Sequence, residues 1–263
     1  LVCCIYLGIV GCGGNILNSG IIILYCRNKK LWTDFNLLLM NLILTELLVS
    51  LYGIPVDFVA SAQGGWKRGP GLCKATGFIL TTLGNTSFEG VIEYFISETS
   101  ALSTRKKTII QLIILSWVWS ICLALPPLLG WGQYLPEGNG MSCAPSWSVS
   151  TDKIYNFFLF TFGFFLPLFI ITISSITVVR TVKQVYLTKK YRNPSKVVTL
   201  ASVFVFCWTP YAILSLAAIL GFSKAIPTSL TVFPLQMAKS SILWNPVIFV
   251  FMNPMVRFAF SPF

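Results

Sequence analysis

Ala238-Lys239-Ser240-Ser241-Ile242-Leu243-Trp244-Asn245-Pro246-Val247-Ile248-Phe249 sits within an apolar stretch running roughly from 228 to 253. About 20 mostly apolar residues make a helix long enough to span a bilayer, and this stretch qualifies. One ionisable residue interrupts it. Lys239 lies 11 residues in, about 16 Å at about 1.5 Å per residue, close to the bilayer midplane. No interface is near enough for its amine to snorkel to water. An ionisable residue at that depth is expensive and marks a functional site by default. Without a partner the amine sheds its proton, and a desolvated amine is the nucleophile that condenses with an aldehyde. A structural lysine paired with a carboxylate is the plainer alternative.

Six further stretches of the same kind precede it, at about 1–26, 35–61, 72–100, 109–130, 155–183 and 196–221. Of 263 residues, 55% are apolar and 10% charged, where a soluble domain carries about a quarter charged. Mean hydropathy is +0.77. A disordered chain, a collagen and a cytosolic enzyme are excluded. The prediction is an all-α membrane protein, a single seven-helix domain over 1–263 with short loops and a helix 8 starting near Asn253. No internal repeat of the transporter kind is present. No initiator Met precedes the first apolar run, so an amino-terminal segment is expected to be missing; a cleaved signal peptide fits less well.

The net charge of +11 would suggest nucleic acid in a soluble protein. Here the basic residues flank apolar runs, so no nucleic-acid partner is expected and lipid is. Arg27, Lys29, Lys30, Arg105, Lys106, Lys107, Arg180, Lys183, Lys189, Lys190, Arg192, Lys196 and Arg257 fall on one side; Lys67, Arg68, Lys74, Lys153 and Lys224 fall on the other. The richer side is cytoplasmic by the positive-inside rule, which puts the amino terminus outside. Six of the eight cysteines lie in or at the ends of spans, where Cys acts as a small apolar residue. Cys73 and Cys143 alone reach the outer surface, where an oxidising exterior permits a bridge.

Further motifs accompany Lys239. Cys207-Trp208-Thr209-Pro210-Tyr211 lies in the sixth stretch, Asn41-Leu42 with Glu46 in the second and Asn18 in the first. Trp66 precedes Cys73, Trp117 sits in the fourth stretch, and Pro126-Pro127-Leu128-Leu129-Gly130-Trp131 and Pro136-Glu137-Gly138 lead to Cys143. In this order and spacing they resemble the rhodopsin-like G-protein-coupled receptors across nearly the whole chain. Lysine at this distance before Asn245-Pro246 narrows the resemblance to the animal opsins, of a non-visual type.

That resemblance implies retinal (11-cis or all-trans) on Lys239 as a protonated Schiff base, and a Cys73–Cys143 disulfide. A slot near the midplane needs aromatic walls, and Phe204, Trp208 and Tyr211 share one face of the sixth helix. By position, Thr76, Thr81, Gly84, Asn85, Leu159, Phe160, Phe164, Ala212 and Leu235 join them, with Ala144 in the loop above. Pro210 should kink its helix. A buried cation needs a counterion. Where many vertebrate visual pigments carry a helix 3 glutamate, this chain has Thr76. Two acids remain: Glu137, matching a loop glutamate of many invertebrate and non-visual opsins and favoured here, and Asp57, three helical turns beyond Glu46. Asn18, Glu46, Asn245 and Pro246 form an expected polar switch cluster, since polar groups in lipid find partners inside the bundle; the family's aspartate at the Glu46 position can hold a sodium ion.

Three departures concern the cytoplasmic half. Where the family ends helix 3 with an acid-Arg-aromatic triplet, this chain has Ser97-Glu98-Thr99, or Glu93-Tyr94 in a shifted register, without arginine. Phe249 and Ser175 stand where relatives carry tyrosines, and two inner loops are short. The resemblance implies a light receptor in a plasma or photoreceptor membrane acting on a heterotrimeric G protein, with arrestin and a homodimer as further partners. The departures favour, modestly, a retinal photoisomerase with little coupling. A receptor for a diffusible ligand is a third reading. A light-driven pump is dismissed, because Leu235 occupies the place of its aspartate.

Overall fold

The structure is a computed structural model that describes residues 2–99, 106–137, 139–147, 152–173, 176, 195–252 and 256. Helix α1 is Val2–Arg27. Helix α2 runs through Asp34–Leu48 and Ile54–Ala62, joined by a wide π turn at Val49–Gly53. Then come α3, Gly69–Thr99, and α4, Lys106–Ala124. Helix α5 spans Lys153–Ile173 with a second π turn at Thr161–Phe165. Helix α6 is Ser195–Ile219, and α7 is split into Thr228–Lys239 and Ser241–Met252.

Five of these helices are long and apolar enough, by length and composition, to cross a membrane. The other two, α3 and α7, are the ones that carry polar groups into the bundle or break within it. Exposed apolar side chains such as Ile9 and Ile16 on α1, Phe157 and Phe169 on α5, and Phe206 and Ile213 on α6 suit a hydrocarbon surround. Hydroxyls inside the helices return to carbonyls four residues back, as Thr45 does to Asn41, Thr86 to Thr82 and Ser120 to Ser116. In lipid this leaves no hydroxyl unpaired at those positions.

The observed ends differ from the expected ones where proline or glycine intervenes. The fourth stretch was expected to run to 130, but its helix stops at Ala124, because Pro126 and Pro127 turn the chain into a short 3-10 segment. Helix α6 closes at Gly221, whose φ of 98° is open to glycine. The seventh stretch is not one helix. The break at Ser240 is stitched by hydroxyls: Ser240 Oγ donates to the Met237 carbonyl (2.6 Å) and Ser241 Oγ to the Ala238 carbonyl (2.9 Å). Farther along, Pro246 has no N–H for the Ile242 carbonyl; Asn18 Nδ2 donates to it instead at 3.2 Å. Glycines bring α1 close enough for this, since a Cβ at Gly14 would meet Ile242 at 2.6 Å and Ser50 at 2.8 Å. The expected helix 8, Ser175 and most of the two short inner loops, 100–105 and 177–194, lie outside the described residues, as do the side chains of Glu93 and Glu98.

Over the outer end lies an antiparallel hairpin, β1 (Tyr134–Glu137) and β2 (Ser142–Pro145), with Glu137 opposite Ser142 and Tyr134 opposite Pro145. Its turn uses Asn139 and Gly140 at positive φ. Three ties hold it down: Cys73–Cys143 to the start of α3, Tyr134 Oη to the Ala124 carbonyl (2.6 Å), and Asn156 Nδ2 to the Ser146 carbonyl (2.6 Å). The bridge closes a loop with a sequence separation of 70, so Cys73→Ser is expected to cost about 2–5 kcal/mol. Thermal inactivation of the purified variant beside the parent checks this.

Candidate functional site

Beneath the hairpin, α2, α3, α5, α6 and α7 enclose a cavity of about 180 Å³, more than ten times what a single water requires. Lys239 enters it from the last residue before the α7 break. Its Nζ donates to Asp57 Oδ2 at 2.6 Å, an ion pair with 12% and 1% side-chain exposure. Asp57 reaches this place from the outer piece of α2, beyond the π turn. Glu137, expected to come first of the two acids, enters from β1 and accepts from Tyr211 Oη at 3.1 and 3.4 Å. The aspartate is therefore the acid in contact with the amine, and the glutamate lines the cavity bonded to the tyrosine.

Aromatic rings form the floor. Trp208 packs edge-on against Phe88 at 5.1 Å and over Phe204 at 5.8 Å, and Phe88 meets Phe164 at 5.4 Å. Space above Trp208 exists because α3 and α5 carry glycines there. A Cβ at Gly84 would lie 3.4 Å from the Trp208 ring, and one at Gly163 would strike Asn85 at 2.6 Å. The walls are mainly apolar, with Lys239, the acids and a few small polar residues such as Thr81, Asn85 and Ser215 among them, and with Trp147 and Tyr211 at the outer side.

Of the expected pocket residues, Thr81, Gly84, Asn85, Ala144, Leu159, Phe160, Phe164, Trp208, Tyr211, Ala212 and Leu235 line the cavity. Two do not. Thr76 is buried toward α2, sharing a 3.0 Å hydrogen bond with Tyr52. Phe204 lies one turn below Trp208, which screens it from the space above. The sequence reading missed Phe88, Trp147 and Ser142. Phe88 follows Thr81 by seven and Gly84 by four, the helical period that should have found it. Trp147 and Ser142 sit in an irregular loop and an edge strand, where no periodicity points inward.

Glu46 also reaches the cavity wall, and Asn245 Nδ2 donates to its Oε1. Asn18 instead bonds the Gly14 and Ile242 carbonyls. Glu46 Oε2, Asn18 Oδ1 and Asn245 Oδ1 have no hydrogen-bond partner among the described residues. Phe249 is buried against Tyr25, ring centres 6.1 Å apart. Among the described residues no group of three or more His, Cys, Asp or Glu is placed to hold a metal.

The family described as 7 transmembrane receptor (rhodopsin family) matches residues 17–249. The ultraviolet-sensitive opsin of Melopsittacus undulatus is 30% identical, over 96% of this chain and 78% of its own length. The chain belongs to the opsins. A second opsin relative, the Gq-coupled rhodopsin of Mizuhopecten yessoensis, is 31% identical over 96% of this chain and 57% of its own length. The chain thus spans little more than half of some relatives it matches. The crystal structure of squid rhodopsin superposes with a TM-score of 0.89 at 25% identity, covering 99% of this opsin and 83% of that chain. The match agrees with a seven-helix bundle, a multi-pass membrane protein whose amino terminus is extracellular.

Proposed function

We propose that this opsin is a light receptor carrying retinal on Lys239, with Asp57 as the counterion. The observation that carries the reading is the Lys239–Asp57 pair in an aromatic-floored, largely apolar cavity. The donor set fits the group: one amine for attachment, one carboxylate against it, and small residues at Gly84 and Gly163 that leave room for a flat polyene. Retinal supplies the visible absorption and a light-driven change of shape.

The chain's own residues do the rest. Lys239 provides the nitrogen, and Asp57 holds a positive charge there by direct contact. Trp208 and Phe88 confine the space from below. The hairpin excludes water from above, which strengthens every charge interaction beneath it. Pro210 and the Ser240 break are places where α6 and α7 can bend without losing a full set of helix bonds. Movement there would open the inner end to a heterotrimeric G protein, with arrestin as a later partner, at a plasma or photoreceptor membrane. A sodium ion beside Glu46 would use that carboxylate with the free oxygens of Asn18 and Asn245. Phe249, which brings no hydroxyl to the inner half, favours retinal photoisomerisation as the second reading. The test is the absorption spectrum of protein regenerated with 11-cis-retinal, dark and illuminated. A light-sensitive visible band supports the proposal, and well-folded protein without one returns the site to a diffusible ligand. Released 11-cis-retinal in illuminated all-trans extracts would support the second reading.

Glu137 adds a pH dependence. Burial raises its carboxyl to about 7; the Lys239 charge and the Tyr211 hydroxyl act to lower it, and Asp57 adds to the rise. The folded protein then holds this proton more tightly than the unfolded chain, where a glutamate titrates at about 4.3. Its contribution to stability is present in full below the unfolded value and is lost as pH rises through about 7. Melting temperatures should therefore decline relative to Glu137→Gln as pH rises from about 4 to about 7, and run level above that. Parallel curves for the two proteins would refute the assignment.

A further inference from the structure

Trp147 follows β2 and packs with Trp119, Phe158 and Phe162 around Tyr155 and Leu159. Its Nε1 lies 3.1 Å from Tyr211 Oη, and that same oxygen lies 3.1 Å from Glu137 Oε2. Three side chains from two loop segments and α6 thus form one hydrogen-bond chain at the outer end of the cavity. We infer that Trp147 is a positioning residue whose indole N–H sets the direction of this chain, so that the Tyr211 proton is committed to Glu137.

The argument is one of donor count. An indole N–H donates and accepts nothing, whereas a phenol has a single proton and accepts as well. With Trp147 donating, Tyr211 is the acceptor of that bond, and its own proton points to the Glu137 carboxyl, 3.1 Å away. Ser215, whose hydroxyl donates to the Tyr211 backbone carbonyl at 2.9 Å, also acts on the phenol, but the acceptor oxygens at 3.1 and 3.4 Å from it are those of Glu137. Were residue 147 a tyrosine or serine, its oxygen could accept the Tyr211 proton and the chain could reverse. The ring geometry holds the arrangement in place: Tyr211 meets Trp147 and Trp208 edge-on, each at 6.3 Å. The charged and titratable groups acting on Glu137 are Lys239 from α7, Asp57 from α2 and Tyr211 from α6. Trp147 acts through the last of these. Donation and acceptance along a chain reinforce each other, so a Tyr211 hydroxyl that accepts from Trp147 is the stronger donor to a carboxylate.

The inference rests on Glu137 belonging to the proposed retinal site, but its test needs no retinal. The Glu137 carboxyl is titrated by infrared spectroscopy in retinal-free protein, as the difference between each protein and its Glu137→Gln derivative. Trp147→Phe keeps an aromatic ring and removes the donor together with part of the indole's volume. It is expected to raise the midpoint by about half a pH unit or more, with Trp147→Tyr between it and the parent. An unchanged or lowered midpoint in Trp147→Phe overturns the inference. Should that variant not fold, ultraviolet resonance Raman of the indole N–H carries the test. Its hydrogen-bonded signature is expected to be lost at one tryptophan in Tyr211→Phe, and a spectrum unaffected by that substitution overturns the inference. Failure of the retinal reading shows separately, as the absence of a light-sensitive band in regenerated protein, and leaves both readouts intact.

Discussion

Lys239→Ala is expected to abolish the light-sensitive band of protein regenerated with 11-cis-retinal, leaving only the spectrum of free aldehyde. No other described amine lines the cavity, so no second residue can take over the attachment. The substitution has a structural side as well. It strands Asp57, which is 1% exposed, and removing one partner of a buried pair costs about 3–5 kcal/mol. Loss of the band could then be mistaken for loss of the fold. The double variant Lys239→Ala/Asp57→Asn separates the two, since it replaces the stranded carboxylate with a neutral amide of the same shape. It should recover much of the thermal stability and none of the band. A band that survives in either variant would place the attachment elsewhere.

Asp57→Asn alone is the second large effect. The amine at 2.6 Å loses the only acid it touches among the described residues, while Glu137 remains bonded to Tyr211. The visible band is expected to move to the near ultraviolet at neutral pH and to return on acidification. A small anion such as chloride should recover part of the band by occupying the place of the carboxylate. Glu137→Gln should keep its visible band under the same conditions. The opposite pattern, with Asp57→Asn visible and Glu137→Gln ultraviolet, would return the counterion to the loop.

The spans were readable because a bilayer demands long apolar runs, and the lysine stood out because nothing near position 239 excuses a charge. Lysine and arginine placement likewise oriented the chain. The π turns at Val49–Gly53 and Thr161–Phe165 do have a mark, Pro55 and Pro167 two residues beyond them, whose missing N–H frees a carbonyl inside each turn; a reading by apolar runs passes over it. Asp57 was ranked behind Glu137 because a resemblance weighs loop position, whereas contact with an amine depends on helix register and side-chain length. Thr76 and Phe204 were placed in the pocket by sharing a face with true lining residues. A shared face spans several depths, and side chains lean toward the start of their helix, so each fell a turn outside. Trp147 lay beyond any periodic rule.

The two π turns, the serine-stitched break after Lys239 and Pro210 all occur at the level of the cavity; Val49, Gly163, Lys239 and Trp208 line it. Four of its wall helices therefore have their least regular backbone at one depth, like a belt of soft links around the waist of the molecule. Above that belt the outer rim is riveted by the Cys73–Cys143 bridge and the hairpin. A frame clamped at one rim and compliant at its waist deflects at the other, with an amplitude that grows with distance from the clamp. A small push delivered at the belt is thereby levered to the cytoplasmic face.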